Sequence, residues 1–207
     1  MIEKDFDNIY KGIWKWMTED KLFHYGSQVD GKFAVGDIVT GSDSGASGKI
    51  TEIHKKFFKY DKIGSIDFID ETILSNTGIL SAAKGINLFN NSVGNRVYLN
   101  EAPEEELKMV VPYCVYFYLK GTKVKSYNTE YRDMTFQWTI VDNQNSSSNI
   151  MKIYSQLEFL LKNGRYMFID GYTTLDSVVE DEPLIGRDEN KYWQCAIYNR
   201  LFVEKTI

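Results

Sequence analysis

Histidine, cysteine and proline are nearly absent, with two, two and three residues in a chain of 207. Two histidines leave little room for a serine or cysteine nucleophile, which needs a histidine partner, or for a histidine-rich zinc site. His24 precedes Tyr25-Gly26 with no ligand cluster around it and reads as a packing or surface residue. Alternation along Glu52-Ile53-His54 puts Glu52 and His54 on one strand face, but no third metal ligand accompanies them. Cys114 and Cys195 sit in apolar, strand-like stretches. Two thiols exclude a disulfide scaffold, and the pair reads as buried free thiols, with a mutual disulfide as the lesser reading. Scarce proline and 43% hydrophobic residues exclude a disordered chain. No apolar run approaches the roughly 18 residues of a membrane span, and the N-terminus lacks the basic flank and apolar core of a leader. No membrane partner is therefore expected.

Positive charge is also short. The net charge is −5 and the pI about 5.2, which excludes wrapping of nucleic acid by the whole surface. Passage of DNA through a ring is compatible with this balance, since an acidic lumen does not retain the duplex.

What the chain does have is aromatic residues and clear periodicity. Phe6, Ile9, Tyr10, Ile13, Trp14 and Met17 recur at spacings of three and four, which predicts an amphipathic N-terminal helix. A face this apolar docks on its own domain or on a neighbouring subunit, and these six residues are the subunit-interface candidates. Residues 32–69 predict a small β unit: strands over 33–40, 49–58 and 64–69, with Gly41 to Gly48 as a turn. That glycine/serine loop lacks the order of a phosphate-binding loop and is followed by a strand, so it reads as a hairpin turn. Ile79, Ala82, Ala83, Ile86, Phe89 and Val93 predict a helix within 73–93. An extended piece follows at 96–99, and Glu104-Glu105-Glu106 reads as a solvated acidic turn. Two strands come next, from Val110 to Leu119 and from Arg132 to Val141, then a polar turn and a helix over 150–161 striped with Ile150, Ile153, Tyr154, Leu157, Leu160 and Leu161. Strands over 166–169 and 192–203 close the chain, with an acidic loop, 176–190, between them. The expected division is 1–75 and 76–207.

The run Pro112-Tyr113-Cys114-Val115-Tyr116, then Arg132-x-Met134-x-Phe136-Gln137-Trp138-Thr139-Ile140, then Ser146-Ser147-Ser148 before a helix and a closing strand from Trp193, resembles the tail-terminator and tail-completion proteins of long-tailed bacteriophages. Phe33-x-Val35-Gly36-Asp37-x-Val39-Thr40-Gly41 with Ser44-Gly45-Ala46-x-Gly48 resembles a short β module scattered through phage structural proteins. The resemblance implies an α+β fold, an antiparallel sheet with a helix packed across it, carrying here an extra N-terminal helix and small β unit. It implies a virion protein of the head–tail interface, a tail terminator or connector with no catalytic, cofactor or metal residues. It would form a ring of 6 or 12 copies bound to portal or adaptor and tail proteins, with DNA passing through the lumen unbound.

Two other readings stay open: a small metal-dependent nuclease, and an assembly factor outside the particle. For the nuclease, Glu106-Leu107-Lys108 fits an acidic-x-Lys triplet but lies among further glutamates with no convincing upstream aspartate. Asp176, Glu180, Asp181, Glu182 and Asp188 lack EF-hand spacing. Lys120, Lys123 and Lys125, with Tyr127 and Tyr131, interleave charge and rings as single-strand binders do, but their position predicts a hairpin turn.

Overall fold

The computed structural model describes residues 2–19, 21–24, 33–54, 57–69, 71–75, 79–102, 111–126, 129–180 and 182–206. The acidic stretch 104–106, its Lys108 and Tyr127 lie outside the described residues. The fold is α+β. It divides into a unit of Thr18–Asn91 and a unit of Met1–Met17 with Ser92–Ile207, a different division from the expected 1–75 and 76–207.

The smaller unit is a closed antiparallel barrel. Its strands are β1 (Lys21–His24), β2 (Ile38–Gly41), β3 (Ser47–Ile53), β4 (Phe57–Ile63), β5 (Glu71–Ser75) and β6 (Ile79–Gly85), in the order β1-β4-β3-β2-β5-β6, with β6 closing on β1. Leu22, Val39, Ile50, Phe58, Tyr60 and Ile73 fill it. Three expectations change here. The strand expected over 49–58 is the hairpin β3–β4. Residues 64–69 form no strand; instead Phe68 enters the barrel core edge-on to Tyr60 at 5.1 Å. The helix expected within 73–93 is β5, β6 and a shorter helix, α2 (Ile86–Val93). Ile79–Gly85 has little strand propensity of its own, but the barrel needs a sixth strand to satisfy the edges of β1 and β5, and that demand overrides local preference.

The Gly41–Gly48 loop is the expected hairpin turn between β2 and β3. Its amides close on a side chain of the same unit. Asp43 N and Ser44 N each donate to Glu71 Oε2 at 2.7 Å, Ile69 N donates to Oε1 at 3.2 Å, and the Ser44 hydroxyl donates to Oε1. Burial would push this carboxyl up, but the hydrogen bonds from Ser44, Asp43 and Ile69 prevail and hold it below the ordinary glutamate range. A Cβ at position 41 would run into the Glu71 carboxylate, so the close approach requires glycine.

The larger unit is a seven-stranded sheet under helices. β7 (Val97–Leu99) runs parallel to β8 (Tyr113–Ser126), which pairs antiparallel with β9 (Thr129–Asp142). β13 (Trp193–Lys205) pairs with β9, and its other edge carries β11 (Tyr172–Val179) and β12 (Leu184–Arg187). β10 (Phe168–Ile169) adds to β11. The region expected as an acidic loop, 176–190, thus holds the second half of β11 and all of β12. α1 (Ile2–Thr18) and α3 (Ser148–Lys162) cover one face. On β9 that face is Arg132, Met134, Phe136, Trp138 and Ile140, all buried, and α3 adds Ile150, Ile153, Leu157, Leu160 and Leu161.

α1 belongs to this core. Ile9, Ile13 and Met17 are buried, Tyr116 OH donates to Tyr10 O at 3.3 Å, and Trp16 Nε1 donates to Leu160 O at 3.2 Å. Arg132 is buried between the Phe6 and Tyr172 rings, 5.3 and 5.6 Å from their centroids, and pairs with Glu130 at 3.2 Å. The apolar helix face is spent on its own sheet, which places residues 1–17 in the larger unit, while β6 carries the barrel unit past residue 75.

Candidate assembly surface

Of the six subunit-interface candidates, Ile9, Ile13 and Met17 are buried under the sheet, and Phe6 and Tyr10 are half-buried. Phe6 meets Tyr118 edge-on at 5.6 Å, and Tyr10 meets Phe136 at 6.3 Å. Only Trp14, 46% exposed, presents its ring outward. The stripe foreseen as an interface is a core seam with one outward tryptophan.

The less covered surface lies on the opposite face, apart from the end where Tyr113 and Val141 are buried with Ala102 and Val115 packs against them. Alternation along β8, β9 and β13 brings Val115, Phe117, Gln137, Thr139, Ala196, Tyr198 and Phe202 there, all half-buried. Gln137 Nε2 donates to Thr139 Oγ1 at 3.2 Å. Toward the β8–β9 tip this face becomes a polar groove of about 370 Å³ lined by Lys120, Thr122, Asp133, Thr135, Glu180 and Arg200. The two carboxylates do not converge on an empty position: Arg200 pairs with Asp133 and, at 3.3 Å, with Glu180. The guanidinium lies between the two carboxylates and partly neutralises them. Among the described residues no group of three or more histidine, cysteine, aspartate or glutamate side chains is placed to hold a metal.

The edge of β8 is the second component. Cys114 N donates to Arg96 O, and Asn100 N donates to Tyr116 O, both at 2.9 Å. Past Tyr116 no strand among the described residues pairs with the outer side of β8. That open stretch carries Lys120, Lys123 and Lys125, all exposed, and Val124, 55% exposed. Lys123 pairs with Glu130 at 2.8 Å, a contact that together with Arg132 holds the Glu130 carboxyl below its usual range. At the far side of the sheet β12 pairs with β13 alone among the described residues, and all four of its residues are exposed. Sequence reading marked the lysines but missed β12, whose Leu-Ile-Gly-Arg has neither alternation nor length.

On the barrel, Glu52 and His54 share a strand face as alternation predicts, at 3.0 Å. His54 stacks on Phe57 at 4.4 Å, and Lys59 bridges Glu52 and Glu19 at 3.2 Å each. The group is a surface ion-pair chain, and its largest effect is the hydrogen bond from His54 that lowers the Glu52 carboxyl.

The thiols of Cys114 and Cys195 are free and buried. Both face Ile140 in the register, from β8 and β13 on either side of β9. Two strand spacings put them roughly 10 Å apart, beyond the ~7 Å limit of a disulfide, so the bridged reading is excluded. Burial raises both: Cys195 to about 12, and Cys114 further, with the neighbouring Cys195 adding to it. Aromatic disulfide reagents should label neither thiol in the native protein at pH 8, and both in 6 M guanidinium. Rapid labelling of native protein would contradict this burial.

The fold therefore defines an α+β chain with a helix-covered sheet, one long edge of which is unpaired past Tyr116 among the described residues. No protein-family model matches the chain, and no curated protein matches it. Among solved structures it is similar to a chain of the virion of a native gene transfer agent particle, at 11% identity and a TM-score of 0.49, over 56% of this chain and 84% of that one.

Proposed function

We propose that this chain is a structural subunit of a phage virion, forming a ring at the head–tail interface as a tail terminator or connector around the DNA channel. The observation that carries the reading is the order β8–β9–polar turn–α3–closing strand, which realises the strand–hairpin–helix pattern by which the sequence resembles the tail-terminator group. The unpaired sheet edge supports it, because such edges are liabilities in an isolated monomer and become contacts in a closed assembly. The acidic balance suits a channel through which DNA moves without being held. Portal or adaptor and tail proteins would be its neighbours, and the exposed Ile53, Ile63, Ile66 and Ile69 of the barrel are apolar surface available to them.

Purified particles of the phage that encodes the chain provide the test. The chain should remain with DNA-filled particles through density-gradient banding, at a few copies per particle against hundreds of the major capsid protein. Its presence in the lysate but absence from banded particles would overturn the reading in favour of an assembly factor.

A further inference from the structure

We propose that the open 117–126 edge of β8 pairs with the β12 edge of a second copy of this chain, so that the seven-stranded sheets of successive subunits join edge to edge. The inference rests on the ring reading above and names the contact that closes it.

Direction is the first argument. β12 is antiparallel to β13, β13 to β9, and β9 to β8. β12 and β8 are therefore antiparallel to each other across one sheet. Copies in the same orientation can then join β8 to β12 as an antiparallel ladder, with no subunit inverted. That is the heterologous, head-to-tail contact that generates rings.

Charge is the second. Residues 117–126 contain three lysines and no carboxylate, while residues 180–190 contain five carboxylates and one arginine. Some of these charges are engaged within the subunit: Lys123 with Glu130, Glu180 with Arg200. Lys120 and Lys125 on one edge and Glu182 and Glu189 beside the other remain exposed. A two-fold pairing of β8 with β8 would set lysines against lysines, and β12 with β12 would set carboxylates against carboxylates. Like charges directly opposed across strands are destabilising, so the pattern selects the unlike edges. Edge lysines also block indiscriminate strand addition, leaving acidic partners favoured.

Apolar surface and register complete the case. Leu184 is 65% exposed on β12 and Val124 is 55% exposed on β8, and a joint ladder gives both a neighbour. Through Cys195 and Ile140, Ile185 lies level with Cys114, where β7 covers β8. The open part of β8 begins only at Phe117. Successive subunits are thus offset along the strands, as strands are staggered when a sheet closes on itself.

The test uses the full chain with Lys123→Cys, with Leu184→Cys and with both, since native Cys114 and Cys195 are buried. Light scattering gives the mass at each concentration, and a non-reducing gel after mild oxidation reads the contact. The double variant should yield a ladder of cross-linked oligomers. Each single variant should yield no cross-linked dimer, and an equimolar mixture of the two should yield dimer and nothing larger. Dimers from one single variant alone would show a two-fold contact and overturn the proposal. Rings by light scattering and microscopy without any ladder would overturn the edge assignment and leave the ring reading standing. Monomer at every concentration, without cross-links, would overturn both.

Discussion

Glu71→Ala is expected to destabilise the barrel by about 3–5 kcal/mol, a large part of the 5–15 kcal/mol that typically separates folded from unfolded domains. The loop amides of Asp43 and Ser44, the Ile69 amide and the Ser44 hydroxyl all converge on this one buried carboxylate. Alanine would leave these donors orphaned and open a void under the loop. Glu71→Gln keeps one acceptor oxygen but turns an amide NH2 toward donors, so it should fall between alanine and the native chain. The pH dependence has a definite sign. The folded carboxyl titrates below its unfolded value, which lies near about 4.3. Its contribution is fully present above the unfolded value and is lost as pH falls through the folded one. Protection of the Val39 and Ile73 amides, relative to their intrinsic exchange rates, should fall in acid in the native chain, and already at neutral pH in Glu71→Ala. Unchanged protection in the alanine variant would show that the carboxylate does not organise the loop.

The second large effect is expected at Trp138. It is buried on the helix-covered face and stacks on Tyr116, directly across in the β8–β9 register, at 4.6 Å between centroids. Trp138→Ala should cost about 3–5 kcal/mol, as lost burial plus a cavity the two long strands are too constrained to collapse. Its buried Nε1 has no acceptor among the described residues. Trp138→Phe therefore strands no partner and keeps an aromatic face against Tyr116, and it should cost only roughly 1–2 kcal/mol. Urea midpoints followed by far-ultraviolet circular dichroism separate the two. Equal losses would mean that the indole nitrogen has a role in the fold after all.

The parts of this fold legible in the sequence are those whose side chains face two different environments. Met134, Phe136, Trp138 and Ile140 alternate with Thr135, Gln137 and Thr139 because one face of β9 lies under helices and the other is less covered. Ile150 to Leu161 shows a clean stripe for the same reason. The parts that were missed are set by pairing. β6 reads as helix because Ile79, Ala82, Ala83 and Ile86 fall at helical spacing, yet it is a strand because β1 and β5 both pair with it. β12 is exposed along its whole length, so no hydrophobic pattern announces it. The candidate surface divides likewise. The lysines of the β8 edge are plain in the sequence, while the strand proposed to receive them is visible only once β13 is in place. The N-terminal stripe was legible as apolar, but periodicity is silent on which sheet it covers, and here it covers its own.

The thiols flanking Ile140 have a consequence for how the protein ages in air. Here an intervening strand keeps the two sulfurs apart, and burial keeps both protonated and out of reach. Folding needs no oxidative step, and exposure to air creates no bond that could strain the sheet.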